Sequence, residues 1–354
     1  MKLADCIAQY HTPFLVGDCG SGAVSRLNNA ADCSREVARC ALRFVLADDL
    51  TSLCTALAYS RGARTLACAD LLHVPAASVW VEWCSEPWRS ELARYGFETP
   101  GQLPHAGRRG ALIHASRDGR RGTVRTFWSG ERPSEVLASS LEAYFDLDAA
   151  DGEEPAAPDG DTRPAVRLFD GGGDPGSDVL QRCFRFRYER SWCDYYRQAA
   201  LSPHASGAVL RHALGTIGID IPVLLAFFLL LATRSGLPRR PETFERLNRA
   251  RARLGKAPLL EHIEVRAPLL PEYRGAGAGG EHGCRRSPRL HHVRGHLVRR
   301  GSRLFWRVPH LRGSARAGRV CTRTVTWTFG AAPLAPTAAR ATEALQSLAA
   351  RAGG

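Results

Sequence analysis

Lysine is nearly missing from this chain of 354 residues: Lys2 and Lys256 are the only two, so 46 of its 48 basic residues are arginine. With Ala and Gly also abundant, that bias fits a GC-rich coding sequence, and the number of guanidinium groups alone says little about recognition. C-x-x-C pairs are missing as well, although the chain has 11 cysteines. An odd count on a long chain that begins MKLADCIAQYHTPF, with no apolar signal core, excludes an ordinary secreted disulfide framework. It points to a cytoplasmic protein whose thiols are mostly small buried hydrophobes. There is no P-loop, no G-x-G-x-x-G behind a predicted strand, no H-E-x-x-H and no G-x-S-x-G. Their absence removes the sequence basis for nucleotide-cradling, zincin and α/β-hydrolase chemistry. Long apolar runs are scarce too. The longest, Ile221 to Ala232, is shorter than the ~20 residues a bilayer requires, and Asp220 and Pro222 at its start mark the entry of a buried core helix, not a membrane span. The most informative absence is local. From His282 to Thr342 there are 13 arginines and no Asp or Glu, which accounts for the whole formal net charge of +13. Codon bias explains the arginines but not the missing carboxylates.

A hydrophobic content of 44% is enough for a buried core. The periodicities predict an α+β protein with helical N-terminal and central regions, a small antiparallel sheet and a basic C-terminal antiparallel β section. SREVARCALRFVLADDL reads as a helix with Val37, Cys40, Ala41 and Phe44 on one stripe, and TSLCTALAYSRG as a second that stops at Gly62. SVWVEWC (78–84) reads as a strand, and RRGALIHASRDGRRGTVRTFWSG as two strands around an Asp118-Gly119 turn. SEVLASSLEAYFDLD follows as a helix capped by Ser134. DVLQRCFRFRYERSWCDYYRQ, the apolar run and PETFERLNRARARLG, with Pro241 at its start and Gly255 at its end, read as helices. HLVRR and RLFWRV form a hairpin about Gly301-Ser302, with RVCTRTVTWTFG (319–330) as a third strand. The resulting division is a mixed region over 1–148, an acidic, Gly-rich linker or loop over 149–177, a mainly helical central region over 178–281, the basic β region over 282–330 and an Ala/Pro-rich tail over 331–354.

RRSPRLHHVRGHLVRRGSRLFWRVPHLRG, residues 285–313, holds nine arginines and four histidines. Guanidinium groups displace counterions from phosphates and exposed rings stack on bases, so such a segment suits single-stranded or irregular RNA. The candidate contacts are Arg285, Arg286, Arg289, Arg294, Arg299, Arg300, Arg303 and Arg307, with Trp306 as the stacking ring. Phe305 and Trp306 alternate in the strand, so at least one of them belongs to a core. Histidines add a catalytic alternative, a metal-independent endoribonuclease in which His291 and His296 act as general base and acid while Arg294 holds the phosphate. In a regular strand His292, Arg294 and His296 share a face, whereas a bulge at Gly295 brings His291 onto the face of His296. The sequence leaves both registers open. A plain accessory nucleic-acid-binding protein is the remaining reading. The spacing of His282, Cys284, His291 and His296 matches no recognised zinc finger, and neither metal nor cofactor is expected.

The segment SPRLHHVRGH, with His282 upstream and a hairpin carrying Trp306 downstream, resembles the Pro-His-x-Arg-Arg-Gly-His signature of the large phage- and plasmid-borne inhibitors of type V-A CRISPR immunity and their mobile-element relatives. VPAASVWVEW (74–83) and LNRARARLGKAPLLEH (247–262) are similar to two further segments of that family. His291, Arg294, Gly295 and His296 match the signature, while Leu290, Val293 and Leu297 stand where the family has Pro, Arg and Trp. The resemblance implies an anti-CRISPR protein of the bacterial cytoplasm. Such a protein recognises the nascent polypeptide of the effector nuclease at the ribosome and promotes decay of its mRNA, by itself or through a host ribonuclease. The implied partners are RNA or ribosome and that polypeptide, with no membrane. The peptide-binding residues are unassigned; the strand from Val79 to Trp83 is the candidate lining of a peptide pocket.

Overall fold

The strand read from SVWVEWC runs through the interior of the fold. In a computed structural model the described residues are 2–9, 15–17, 24–26, 30–59, 66–96, 107–130, 136–149, 182–189, 213–233, 236–268, 289–293, 295–307, 310–312 and 314–319. The first half contains α1 (Leu3–Gln9), β1 (Leu15–Gly17), β2 (Val24–Arg26), α2 (Ala30–Arg39), β3 (Leu42–Leu46), α3 (Asp48–Tyr59), a 3-10 helix (Leu66–Leu71), β4 (Ser78–Cys84) and α4 (Ser85–Arg94). The hairpin β5 (Arg108–Ala115) and β6 (Arg121–Ser129) and the long β7 (Val136–Asp146) follow. Next come β8 (Phe184–Tyr188), α5 (Ile221–Leu231), β9 (Arg239–Glu242), α6 (Glu245–Arg253) and β10 (His262–Val265). One ten-stranded mixed sheet runs β2-β1-β7-β6-β5-β4-β3-β10-β9, with β8 also paired to β7. Helices and strands are mixed along the chain, and the protein is of the α+β class.

Helices cover both faces of the sheet. Leu50 and Cys54 of α3, Trp88 and Leu92 of α4 and most of α5 pack on Val79, Val81, Trp83, Ile113 and Phe145. On the other face Leu3 and Ile7 of α1 and Cys33 and Val37 of α2 meet Trp80, Leu112 and Phe127. Alternation along β4 sends Val79, Val81 and Trp83 one way and Trp80 and Glu82 the other, and all five are completely buried. This strand therefore does not line a peptide pocket: it is an interior strand covered on both sides. Buried Glu82 accepts hydrogen bonds from the N–H groups of Leu3 (2.8 Å) and Ala4 (3.0 Å), the first turn of α1, and pairs with Arg108. A carboxylate beneath a helix N-terminus satisfies donors that have no partner inside the helix.

Three segments with helical sequence patterns are strands. The helix in SREVARCALRFVLADDL stops at Arg39, and Leu42–Leu46 forms β3, parallel to both β4 and β10. A strand buried between parallel neighbours reads as a continuous apolar run, without the alternation that identifies half-buried strands. SEVLASSLEAYFDLD is β7, not a helix capped by Ser134. Leu141, Ala143 and Phe145 enter one core and Val136 and Ala138 the other, so apolar residues occupy both parities. FRFRY within the predicted central helix is β8: Phe184 and Phe186 face the α5 core, while Arg187 on the opposite face pairs with Glu142 at 2.6 Å. Among the described residues of 178–281, β8, β9 and β10 complete the same sheet as the N-terminal strands, so these residues are not a separate helical unit.

Other elements lie where the pattern put them. Gly119, at φ +71°, turns the β5–β6 hairpin and accepts the Val74 N–H at 2.9 Å; a Cβ there would lie 2.2 Å from the Val74 carbonyl oxygen. The apolar helix is buried, but it extends back to Ala213, and its 19 residues are long and apolar enough to cross a membrane. Length therefore does not settle its role. Of the 18 residues that meet that test, 78% lie inside the fold. Gly255 (φ +64°) ends α6 as expected, whereas Pro241 belongs to β9, an edge strand where its missing N–H costs no ladder hydrogen bond. The proposed linker at 149–177, beyond Ala149, and the tail at 331–354 lie outside the described residues.

Candidate nucleic-acid interface

The carboxylate-free segment contributes five short strands. β11 (Arg289–Val293) lies between β14 (His310–Arg312), antiparallel to it, and β15 (Ser314–Arg319), parallel to it. β12 (His296–Arg300) and β13 (Arg303–Arg307) form a separate antiparallel hairpin about Gly301-Ser302. Gly301 has φ +58°, the left-handed value that the first position of a tight hairpin turn requires. The hairpin is as predicted, but β15 ends at Arg319, and Val320–Gly330, expected as its third strand, lies outside the described residues.

Cross-strand register sorts the hairpin side chains. Leu297↔Trp306 and Arg299↔Leu304 share one face; His296↔Arg307, Val298↔Phe305 and Arg300↔Arg303 share the other. Leu304 and Trp306 on the first face are buried, at 4% and 7% exposure, in the same core as α5, and half-buried Leu297 packs against it. Trp306 thus packs inward and does not offer its ring for stacking on a base. Arg299, on the same face, is engaged bidentately by Asp70 of the 3-10 helix, Nη1 to Oδ1 at 3.0 Å and Nη2 to Oδ2 at 2.7 Å, and its Nε donates to the Gly301 carbonyl at 3.0 Å. Both partners are about half exposed, so the pair contributes only about 0–1 kcal/mol. It nevertheless gives this guanidinium a carboxylate, and Arg299 holds the hairpin to the body.

On the outer face His296, Arg300, Arg303 and Arg307 are exposed, and Phe305 is half-buried among them. Arg300 stands directly opposite Arg303, and His296 opposite Arg307. The like-charged Arg300 and Arg303 facing each other destabilise the strand pair, and no carboxylate from the segment relieves them. Bound polyanion would reverse the sign of that interaction. Phe305 is the residue the sequence reading passed over: the alternation required one inward and one outward ring, and the core selected Trp306. Arg312 of β14 is likewise exposed and was not among the candidates.

The remaining candidates divide clearly. Arg285, Arg286 and Arg294 lie outside the described residues, and Arg289 pairs through its backbone with Ser314. His291 pairs with Arg312 across β11–β14, whereas His296 begins β12 of the hairpin. The two histidines belong to different sheets, so neither single-strand register describes them, and the alternation argument that placed them on a common face does not hold. No group of three or more His, Cys, Asp or Glu among the described residues is placed to hold a metal ion. Cys6, Cys33 and Cys40 are buried and form no disulfide, and burial pushes each thiol up to about 11, leaving them protonated at neutral pH. A cavity of about 20 Å³ between α5 and the sheet is lined by apolar side chains including Leu72, Ile113, Phe184 and Phe228. It can hold no more than a water by size and offers that water no partner.

No family model, curated protein or solved structure matches this chain. The site rests on its own geometry.

Proposed function

We propose that this protein binds RNA through the outer face of the β12–β13 hairpin and acts, as the resemblance to the type V-A CRISPR inhibitors implies, at translating ribosomes on the message of an effector nuclease. The observation that supports RNA binding is the sorting of the hairpin: Leu304 and Trp306 anchor it in the core, and Arg300, Arg303 and Arg307 surround Phe305 on the solvent side. Three guanidinium groups on a braced strand pair suit phosphates, and the ring between them suits an unstacked base. Recognition of the nascent polypeptide and decay of its mRNA belong to the resemblance, as does the placement in the bacterial cytoplasm.

The reading is tested by measuring binding to a single-stranded RNA over a range of salt. Replacing Arg300, Arg303 and Arg307 together by Glu should lower the slope of log K against log salt by about 2, at roughly 0.7 per lost phosphate contact. Phe305→Ala should weaken binding by about 1–3 kcal/mol while leaving the slope alone, because stacking releases no counterions. An unchanged slope in the triple variant would remove the hairpin from the interface. The finer reading predicts selective loss of effector mRNA in cells expressing the chain and recovery in the triple variant; equal message levels in all strains would refute it.

A further inference from the structure

The hairpin is not the only surface with unneutralised arginines. Between Arg239 and Lys256 the chain carries seven cations and two carboxylates. Its centre, α6, buries no residue, so hydrophobic burial does not hold it in place. It is held by polar clamps on one side. The Asn248 side chain donates to the Leu259 carbonyl (2.9 Å) and accepts from the Leu259 N–H (2.8 Å), and Arg251 donates to the Ala257 carbonyl (2.8 Å) and to Gln9 Oε1 (3.3 Å). At about 100° per residue, Arg246, Arg249 and Arg253 fall on the side opposite Asn248 and Arg251, facing directly away from the fold. All three are exposed, and no carboxylate pairs with them among the described residues. Glu242 is occupied by Arg240 at 2.8 Å. Arg253 near the helix C-terminus favours the helix dipole, but Arg246 in the first turn opposes it, and three like charges at i, i+3 and i+7 repel. Glu245, exposed in the first turn and four residues before Arg249, offsets part of this repulsion, so the helix is fixed by its inner side with an outer side that keeps a net positive charge for an anion to neutralise.

We propose that α6 is a second nucleic-acid contact, separate from the hairpin, and that its Arg246–Arg249–Arg253 row takes the phosphodiester backbone of RNA. Leu247 and Leu254, exposed at 48% and 69%, also lie on this helix. They lie to the side of the arginine row, toward the flank, so a partner approaching from solvent meets guanidinium groups first. That order favours a polyanion over an apolar protein groove as the occupant.

The test uses the full chain with Arg246, Arg249 and Arg253 changed together to Gln and, in a second variant, to Glu, with circular dichroism to establish that each is folded. Binding to a fluorescent single-stranded RNA, a duplex RNA and a duplex DNA is measured against salt, with a poly-glutamate peptide as competitor. The Gln variant should bind RNA about tenfold or more weakly at low salt, with a slope reduced by about 2 for single strands, and the Glu variant more weakly still. Unchanged RNA affinity and slope in both folded variants would overturn the proposal. So would an RNA defect caused equally by Leu247→Ser with Leu254→Ser, or poly-glutamate binding the wild type more tightly than the RNA does at equal charge, either of which would mark a protein-docking helix. Loss confined to DNA would change the ligand and likewise overturn it. Because the hairpin variant is assayed separately, a defect in α6 alone retires the hairpin reading, a defect in the hairpin alone retires this one, and no RNA binding by the wild type retires both.

Discussion

Arg109 and Asp220 show how much one residue pair can control. Arg109 on β5 reaches Asp220 at the entry of α5 through two hydrogen bonds, Nε–Oδ1 at 2.9 Å and Nη2–Oδ2 at 2.6 Å, and its guanidinium lies 4.5 Å above the Trp88 ring. Both side chains are almost fully buried. Burial raises the Asp220 carboxyl above its ordinary value of 3.8, and Arg109 opposes that rise. Arg109→Leu removes the opposing cause and leaves a buried carboxylate without its counter-charge, a change that costs about 3–5 kcal/mol at neutral pH. A carboxyl that holds its proton more tightly folded than unfolded gives stability at low pH, and that stability is lost as pH rises from the unfolded value toward the folded one. The variant should therefore lose more stability relative to the wild type at pH 7 than at pH 5, as measured by urea midpoints. An equal loss at both values would mean that Asp220 titrates as an exposed acid.

At the scale of elements, Gly110 records how closely β5 meets its neighbour. An added Cβ would lie 2.4 Å from Cζ2 and 2.8 Å from Cη2 of Trp80, a completely buried ring that packs at 5.7 Å from Phe127. Gly110→Ala should destabilise the protein by about 1–3 kcal/mol through overpacking and alter its near-ultraviolet circular dichroism, with partial rescue by Trp80→Phe. A change within experimental error in the urea midpoint would show that the ring can move aside. The sequence disclosed β4 and the β5–β6 hairpin because aromatic and β-branched runs beside an Asp-Gly turn have few alternatives. It disguised β3 and β7, whose burial on two faces erases the period of two, and the helix-favouring residues of LASSLEA carried the local preference. In FRFRY the alternation was present, but a surrounding helical pattern outweighed it. For the hairpin, sequence required Phe305 and Trp306 to point opposite ways; only packing against α5 decided which ring faced solvent. Nothing in sequence paired Arg299 with Asp70, 229 residues away. The arginines of α6 were legible as a short basic helix, but their outward row depends on clamps from Gln9, Ala257 and Leu259.

For the whole molecule, the change of charge at His282 marks a boundary of composition in the sequence that the described hairpin does not follow in the fold. Leu304 and Trp306 belong to the core that contains α5, β4 and β8, so the basic hairpin is braced by the same body that holds the sheet. That arrangement couples the proposed RNA contact to global stability, and it separates this fold from one in which residues 282–330 form an independent domain. Trp306→Ala decides between them. If the hairpin is integral, loss of a buried indole should lower the global unfolding free energy by about 3–5 kcal/mol and shift the transitions of α5 and the main sheet together. It should also weaken RNA binding without reducing the salt slope, since every arginine remains and only the brace is gone. If instead the hairpin unfolds by itself in a separate early step while the main transition stays in place, the coupling fails. The basic face would then be an appended module, able to be lost without cost to the helices and sheet behind it.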